Sequence, residues 1–548
     1  MSEETPRGSG EGGAPDWPDS WPVLLFLGFA ALAYLVLQSG LHGPFVSDDG
    51  GYIVSNPYIR SLSMENLAAL FDPTSPAQIH AVGNYAPVHL LLHALEYQIF
   101  ADEVFGYHIV NLLVHALAAV LLVVLLLRSG VPGLAALIGG TLFVLHPANA
   151  QAVVWISQLK TSASLVLTFG ALLALPRRPG LATVLFAVGL LTKASTAAAL
   201  PTAAALAWVH GTLRRDGRWL AFWCGLFAVY AVVEFAQFHD SGWVAGPPAY
   251  ADGVTQLRSI ASYGARYLVM AASSWGVSAY QEPDPVVSWL EPWWLLSLPL
   301  GALLLWRLVV TLRRRQEEGA WWVFAAASWA PISQVFPFRY PMADHYLYFI
   351  LPGLIGAVSL WLGGAARSLP RAAAPLALGA SLVVLLLFGW HSSARARLWR
   401  SNILLEVDAV AHHPHGRLAH QHAARRASLS CDAATAVAHL RAANARGLDD
   451  FQVLQADPAL AQVRDDPAFQ ALIAEWAGAW IERTRRASRV TQSELRTVAL
   501  AHLARGEISS ARQALEEALE VGGPADEIVR REIAAVRAME GRDGEAPR

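Results

Sequence analysis

The chain has 548 residues, of which 54% are hydrophobic and only 15% charged, against about 25% charged in an ordinary soluble protein. Its formal net charge of -3 comes without a long basic run, which excludes nucleic acid as a partner; its two cysteines, Cys224 and Cys431, lie too far apart in sequence to imply a disulfide framework or a cysteine-based zinc site. The apolar runs stop near residue 392 and an Ala-, Arg- and acid-rich remainder follows, so composition alone divides the chain into a membrane part and a soluble part.

Residues 1–21, rich in Gly, Pro, Ser and acids, read as a disordered tail. The apolar run after it lacks the basic approach and small-residue cleavage pattern of a signal peptide, and reads as a retained spanning helix. Crossing a bilayer takes about 20 mostly apolar residues. Eleven segments meet or approach that: 22–38, 107–127, 131–146, 161–176, 181–192, 195–210, 219–238, 290–311, 320–336, 346–364 and 374–392. Arg128, Arg177, Arg178, Arg214, Arg215, Arg218, Arg313, Arg314, Arg315, Arg367 and Arg371 then all fall on one side if the N-terminus is cytoplasmic. That alternation requires segment 259–281, which carries Arg266 and several aromatics, to lie along the interface instead of crossing. The predicted architecture is all-α: a polytopic membrane helix bundle of about 11 spans over 22–392, with a long outer loop at 40–104, then a soluble helical domain over 393–548 on the non-cytoplasmic side. Within that domain, 499–519 reads as helix, glycine turn and helix, the shape of a tetratricopeptide unit.

The long outer loop opens on Phe45-Val46-Ser47-Asp48-Asp49-Gly50-Gly51-Tyr52. An Asp-Asp-Gly-Gly string is ordinary turn chemistry. At a membrane edge, however, a carboxylate near low-dielectric material and beside a second acid has its pKa pushed up, which makes it a stronger base for an attacking hydroxyl. The same side carries Lys160, Lys193, Arg339 and His345. Any one such cation reads first as a side chain snorkelling to the interface; four opposite two acids suit a phosphate. His89 and His93 share a helix face, but no carboxylate stands at the spacing of a zinc site. Glu234 lies near the outer end of its span, where an acid is a functional candidate by default.

These strings resemble the transmembrane and tetratricopeptide-repeat O-mannosyltransferases, of the GT-C class of polytopic glycosyltransferases, and their bacterial relatives. The resemblance rests on Ser47-Asp48-Asp49 with Tyr52-Ile53 and Asn56-Pro57; on Gly106-Tyr107-His108, Asn111-Leu112-Leu113 and His115; on His146-Pro147 with Trp155-Ile156-Ser157 and Lys160; on Leu190-Leu191-Thr192-Lys193; and on Asp344-His345-Tyr346-Leu347-Tyr348. The chain departs from it at Ala86 and His345, where arginine is usual, and at Ala194, where an acid is frequent. The resemblance implies a polyprenyl-phosphate-linked sugar donor, a hexose such as mannose, and inverting transfer to a Ser/Thr hydroxyl of a protein or peptide acceptor outside the cytoplasm. Asp48 or Asp49 is then the base. Lys193, His345, Arg339 and Lys160 meet the donor phosphate, and Tyr52, Tyr85, His146, Asp344, Tyr346 and Glu234 line the pocket. No cofactor is required by these residues, and a divalent cation is left open. The rival reading is a membrane-anchored scaffold with a decayed site, whose soluble helices bind proteins outside the cytoplasm.

Overall fold

In the computed structural model, described over residues 20–240, 250–337, 340–366, 373–486, 490–522 and 525–543, the chain folds as helices. Among the described residues, β pairing is confined to one isolated bridge between Gln281 and Met342. Almost all of the N-terminal tail, and with it Arg339, Arg367 and Arg371, lies outside the described residues.

The first part of the chain forms α1 (Trp21–Leu37), α2 (Met64–Phe71), α3 (Pro87–Phe100), α4 (Val104–Arg128), α5 (Gly133–Leu145), α6 (Asn149–Val154), α7 (Leu159–Ala174) and α8 (Pro179–Thr192). It continues with α9 (Ala199–Val209), α10 (Leu213–Asp240), α11 (Gly253–Ser273), α12 (Pro292–Arg313), α13 (Glu317–Trp329), α14 (Leu347–Ala366) and α15 (Ala373–Ala396). Each of the eleven expected spans falls on one of these helices. Six helical stretches are long and apolar enough to cross a bilayer, and α1, α5, α8 and 194–209 are apolar but shorter. The chain is thus built as an integral membrane protein. The span expected over 320–336 differs: α13 belongs to neither group, opens on two glutamates, and ends just before Pro331 removes a backbone donor. The segment expected at the interface begins earlier than its sequence limits. As α11 it buries a face of Ser259, Ser262, Tyr263 and Tyr267, and it is not among the helices apolar enough to cross.

Apolar lipid supplies little drive for helices to associate, so close fit must do it. On α14, a Cβ added at Gly353 would lie 2.5 Å from the Ala325 nitrogen, and one at Gly356 would lie 2.2 Å from the Trp321 ring. Those two glycines, one turn apart, are what allow α13 to lie against α14.

The two ends of the bundle differ. At one, Ser129 donates to Glu317 (3.3 Å), Trp321 donates to Ser129 (3.0 Å), and Trp208 donates to the Leu312 carbonyl (3.1 Å). Chain alternation places Arg177, Arg178, Arg214 and Arg313 at this end too. The other end is closed by the loop after α1, which has its own small core of Tyr52, Ile53, Ile59, Leu70, Ala77, Leu90, Ala94, Tyr107 and Ile156.

Beyond α15 come α16 (Asn402–His412), α17 (Arg417–Leu429), α18 (Ala433–Asn444), α19 (Phe451–Ala456), α20 (Pro467–Arg486), α21 (Gln492–Ala504), α22 (Ile508–Val521) and α23 (Asp526–Asp543). A separate core running from Ala424 to Val536 holds α17 to α23 together, whereas α16 packs Leu405 into the core of the bundle. Helices α21 and α22 pair across a turn at Gly506, whose φ of +76° favours glycine. Helix α16 and the tail body together hold residues 278–284, which lead from α11 to α12. Asp408 accepts from the Ala279 N–H (2.9 Å), Arg417 pairs with Glu282 (3.4 Å), and Arg446 pairs with Asp284.

Candidate active site

The loop after α1 is forced into shape by its acids. Ser47 takes a left-handed conformation (φ 53°), and a single π-type turn follows over Gly50–Val54; such turns recur at functional sites. Asp49 is fully buried. One of its oxygens accepts the Val46 N–H at 2.9 Å; the other accepts the Ser157 N–H at 2.8 Å and the Ser157 hydroxyl. It fastens the loop to the link between α6 and α7. Burial pushes its carboxyl up to about 6, against the pull of Ser157 and Val46. Asp48, by contrast, is partly exposed. Burial raises its carboxyl as well, and the facing Lys160 charge pulls it back.

Lys160, in the first turn of α7, donates to the Tyr52 hydroxyl at 2.7 Å and stands 4.5 Å from that ring's centre. Tyr52 is in turn fixed to the Ala81 carbonyl at 2.8 Å. Lys193 follows the last residue of α8 and donates to Thr161 at 2.7 Å, while Thr161 donates to Gln158 at 2.6 Å. Among the described residues, neither lysine has a carboxylate oxygen within 4.0 Å. Glu234 comes in from α10 and accepts the Tyr85 N–H at 2.6 Å; its charge is felt at both lysines. His345 sits on Gln151, whose side-chain oxygen takes its backbone N–H (2.8 Å) and its Nδ1 (3.0 Å). The Gln151 amide donates to the Ala279 carbonyl (2.9 Å), which fixes its orientation and makes Nδ1 of His345 the protonated nitrogen. The ring stands edge-on to Trp155 and Tyr346. Tyr346 lies near enough to Asp48 to feel its charge.

The structure therefore gathers Asp48, Tyr52, Lys160, Lys193, Glu234, His345 and Tyr346 at one end, with Tyr85 at its edge. Two expected lining residues stand elsewhere and have structural work instead. His146 accepts from the Ala148 N–H (3.2 Å), contacts the Ala271 carbonyl (3.2 Å) and packs on Phe388. Asp344 accepts from Ser278 N–H (3.2 Å) and from Gln281 (2.8 Å) on the segment gripped by the tail body. Arg339 is outside the described residues. Gln151, Ser157 and Thr161 complete the site; Ser157 closes the Trp155-Ile156-Ser157 string, whereas no motif or spacing marks Gln151 or Thr161. Among the described residues, no three His, Cys, Asp or Glu side chains cluster to hold a metal ion.

No family model matches the chain. Over 129 residues it is 32% identical to Protein O-mannosyl-transferase Tmtc1 of Drosophila melanogaster; the match covers 23% of this chain and 15% of that protein. Among solved structures the chain is similar to ArnT from Cupriavidus metallidurans bound to undecaprenyl phosphate, with a TM-score of 0.35, 15% identity and coverage of 91% of this chain and 80% of that one. The same protein in its apo state gives a TM-score of 0.34 at 15% identity, with 91% and 79% covered.

Proposed function

We propose that the chain is a membrane glycosyltransferase of GT-C type. It transfers a hexose, mannose in the simplest case, from a polyprenyl-phosphate carrier to a Ser/Thr hydroxyl of a protein acceptor on the non-cytoplasmic side. One observation carries this reading: Lys160 and Lys193 are held by neutral hydroxyls opposite Asp48, and among the described residues no carboxylate oxygen lies within 4.0 Å of either. Removing a cation from water without an anionic partner is costly, and a phosphate is the ligand that repays two such cations at once. The partial likeness to an O-mannosyl-transferase supports the same chemistry.

The transfer is a single inverting displacement. Asp48 takes the proton of the acceptor hydroxyl, and the oxygen attacks the anomeric carbon from the face opposite the phosphate. The bond from that carbon to the phosphate oxygen breaks, its electron pair leaves with the lipid phosphate, and Lys160 and Lys193 meet the charge as it develops. His345 presents its unprotonated Nε2 and serves the sugar hydroxyls rather than the phosphate. The tail body, tetratricopeptide-like in its helix pairing, presents the acceptor. The test is transfer by the purified full chain in lipid nanodiscs, supplied with polyprenyl-phosphate mannose and a Ser/Thr peptide. Consumption of donor that disappears in Asp48→Asn supports the proposal. A folded protein that never consumes any polyprenyl-phosphate hexose overturns it in favour of the scaffold.

A further inference from the structure

The two lysines of the site are each held by a hydroxyl whose own proton is already placed. Tyr52 is fully buried; its hydroxyl donates to the Ala81 carbonyl (2.8 Å) and takes an N–H from Lys160 (2.7 Å). A phenol has one proton to give. Ala81 receives it, so the tyrosine turns a lone pair toward the ammonium. Thr161 repeats the arrangement, donating to Gln158 (2.6 Å) and accepting from Lys193 (2.7 Å). Both arrangements meet on the first turn of α7, where Lys160 and Thr161 are neighbours. That one turn supplies the first cation and the acceptor that fixes the second.

We propose that Tyr52 and Thr161 are positioning residues for the donor phosphate, Tyr52 acting through Lys160 and Thr161 through Lys193. Three physical points support this. A lysine ends a flexible four-carbon stem, and a cation fixed before the anion arrives is spared the loss of freedom that binding otherwise costs. Each lysine makes one hydrogen bond among the described residues; an ammonium has three N–H groups, so the others stay available to phosphate oxygens. Finally, Tyr52 is fixed from several directions. It stands in the π-type turn Gly50–Val54, with its ring edge-on to the fully buried His89, centres 4.7 Å apart. The Asn84 amide donates to the Val82 carbonyl (2.9 Å) and reaches the Tyr52 hydroxyl (3.4 Å). Val82 itself is left-handed (φ 49°), an outlying conformation for a β-branched residue, and it shapes the turn that brings the Ala81 carbonyl to the phenol. Strain of this kind persists only where the surroundings enforce it, and it marks functional sites. Phenylalanine would fill the same apolar core of the loop, so the hydroxyl is what the strained turn serves.

This inference rests on the glycosyltransferase reading. Its test uses the full chain in nanodiscs, with polyprenyl-phosphate mannose as donor and a Ser/Thr peptide as acceptor. Tyr52→Phe keeps the ring and removes only the hydroxyl; Thr161→Val does the same for the threonine. Each should raise the donor KM by roughly threefold to tenfold, the effect of one hydrogen bond. The acceptor KM should stay within about twofold, because the lysines face the phosphate and not the peptide. Thr161→Ser, which keeps the hydroxyl, should restore the wild-type donor KM. Two double variants supply the readout that a merely structural role would not give. Tyr52→Phe combined with Lys160→Met should be no worse than Lys160→Met alone, and Thr161→Val combined with Lys193→Met no worse than Lys193→Met alone, because each hydroxyl acts only through its own lysine. An unchanged donor KM in either Tyr52→Phe or Thr161→Val, or losses that multiply in either double variant, overturns the inference and leaves the function standing. Absence of transfer by the wild type overturns the function itself. If Tyr52→Phe fails to fold, the Thr161 set decides alone.

Discussion

The arginines of the tail body sit against carboxylates; the lysines of the bundle's charged end do not. Arg441 pairs with Glu475 (2.6 Å), Arg496 with Glu532 (2.6 Å), and Arg512 with both Glu516 (3.0 Å) and Glu540 (3.1 Å), mostly on solvated faces. Lys160 and Lys193 donate to hydroxyls of Tyr52 and Thr161, and Lys160 is buried. The bundle pairs its charges elsewhere too, Arg307 with Glu318 and Arg215 with Asp216, yet among the described residues leaves these two lysines without a carboxylate oxygen at hand, where the cost of doing so is higher. The difference separates charge used for solubility and packing from charge held ready for a ligand. A second contrast lies inside the loop, where Asp49 has spent both oxygens on the fold and Asp48 has not.

The comparison breaks first at Asp48. In Asp48→Asn, turnover should fall by at least about 100-fold, the usual contribution of a general base, with the thermal midpoint unchanged; the opposite assignment of the two acids predicts this loss in Asp49→Asn instead. Next come the lysines. Lys160→Met and Lys193→Met should each raise the donor KM by roughly 10- to 100-fold, as loss of one charge-assisted hydrogen bond implies. Neither should lower the thermal midpoint, and Lys160→Met should raise it if burying an unmatched cation is as costly as argued. Third, Asp49→Asn should destabilise the protein by about 1–3 kcal/mol, because one of the N–H donors now facing a carboxylate oxygen meets an amide NH2. Its acid is bound more tightly to its proton in the fold than in the open chain. The stability it supplies is therefore complete below about pH 4 and lost as pH rises through about 6. A thermal-midpoint series from pH 4 to 7 should fall in the wild type and flatten in the variant. Last, Arg441→Ala, at an exposed pair, should cost less than about 1 kcal/mol and leave transfer unchanged.

Much of this arrangement was legible in the residues. Apolar run lengths located the helices, and the arginine clusters told one end from the other, because both follow from local composition. Asp48, Lys160 and Lys193 stood out as charges beside apolar runs. The division of labour between Asp48 and Asp49 was not legible, since it depends on Ser157, more than a hundred residues on. His146 and Asp344 looked alike in sequence to the chamber residues beside them; only the partners that each meets, the Ala271 carbonyl and Gln281, assign them to the scaffold. Pro331 was the one available sign that the ninth span would stop early.

The clasp between Asp49 and Ser157 has a consequence for how the protein is made. A ribosome delivers the acid long before its partner, and two membrane helices, α4 and α5, must be threaded and inserted in between. Until α6 and the start of α7 emerge, nothing holds the turn at residue 47 in its unusual conformation, and the nascent chain has no assembled reaction centre to expose.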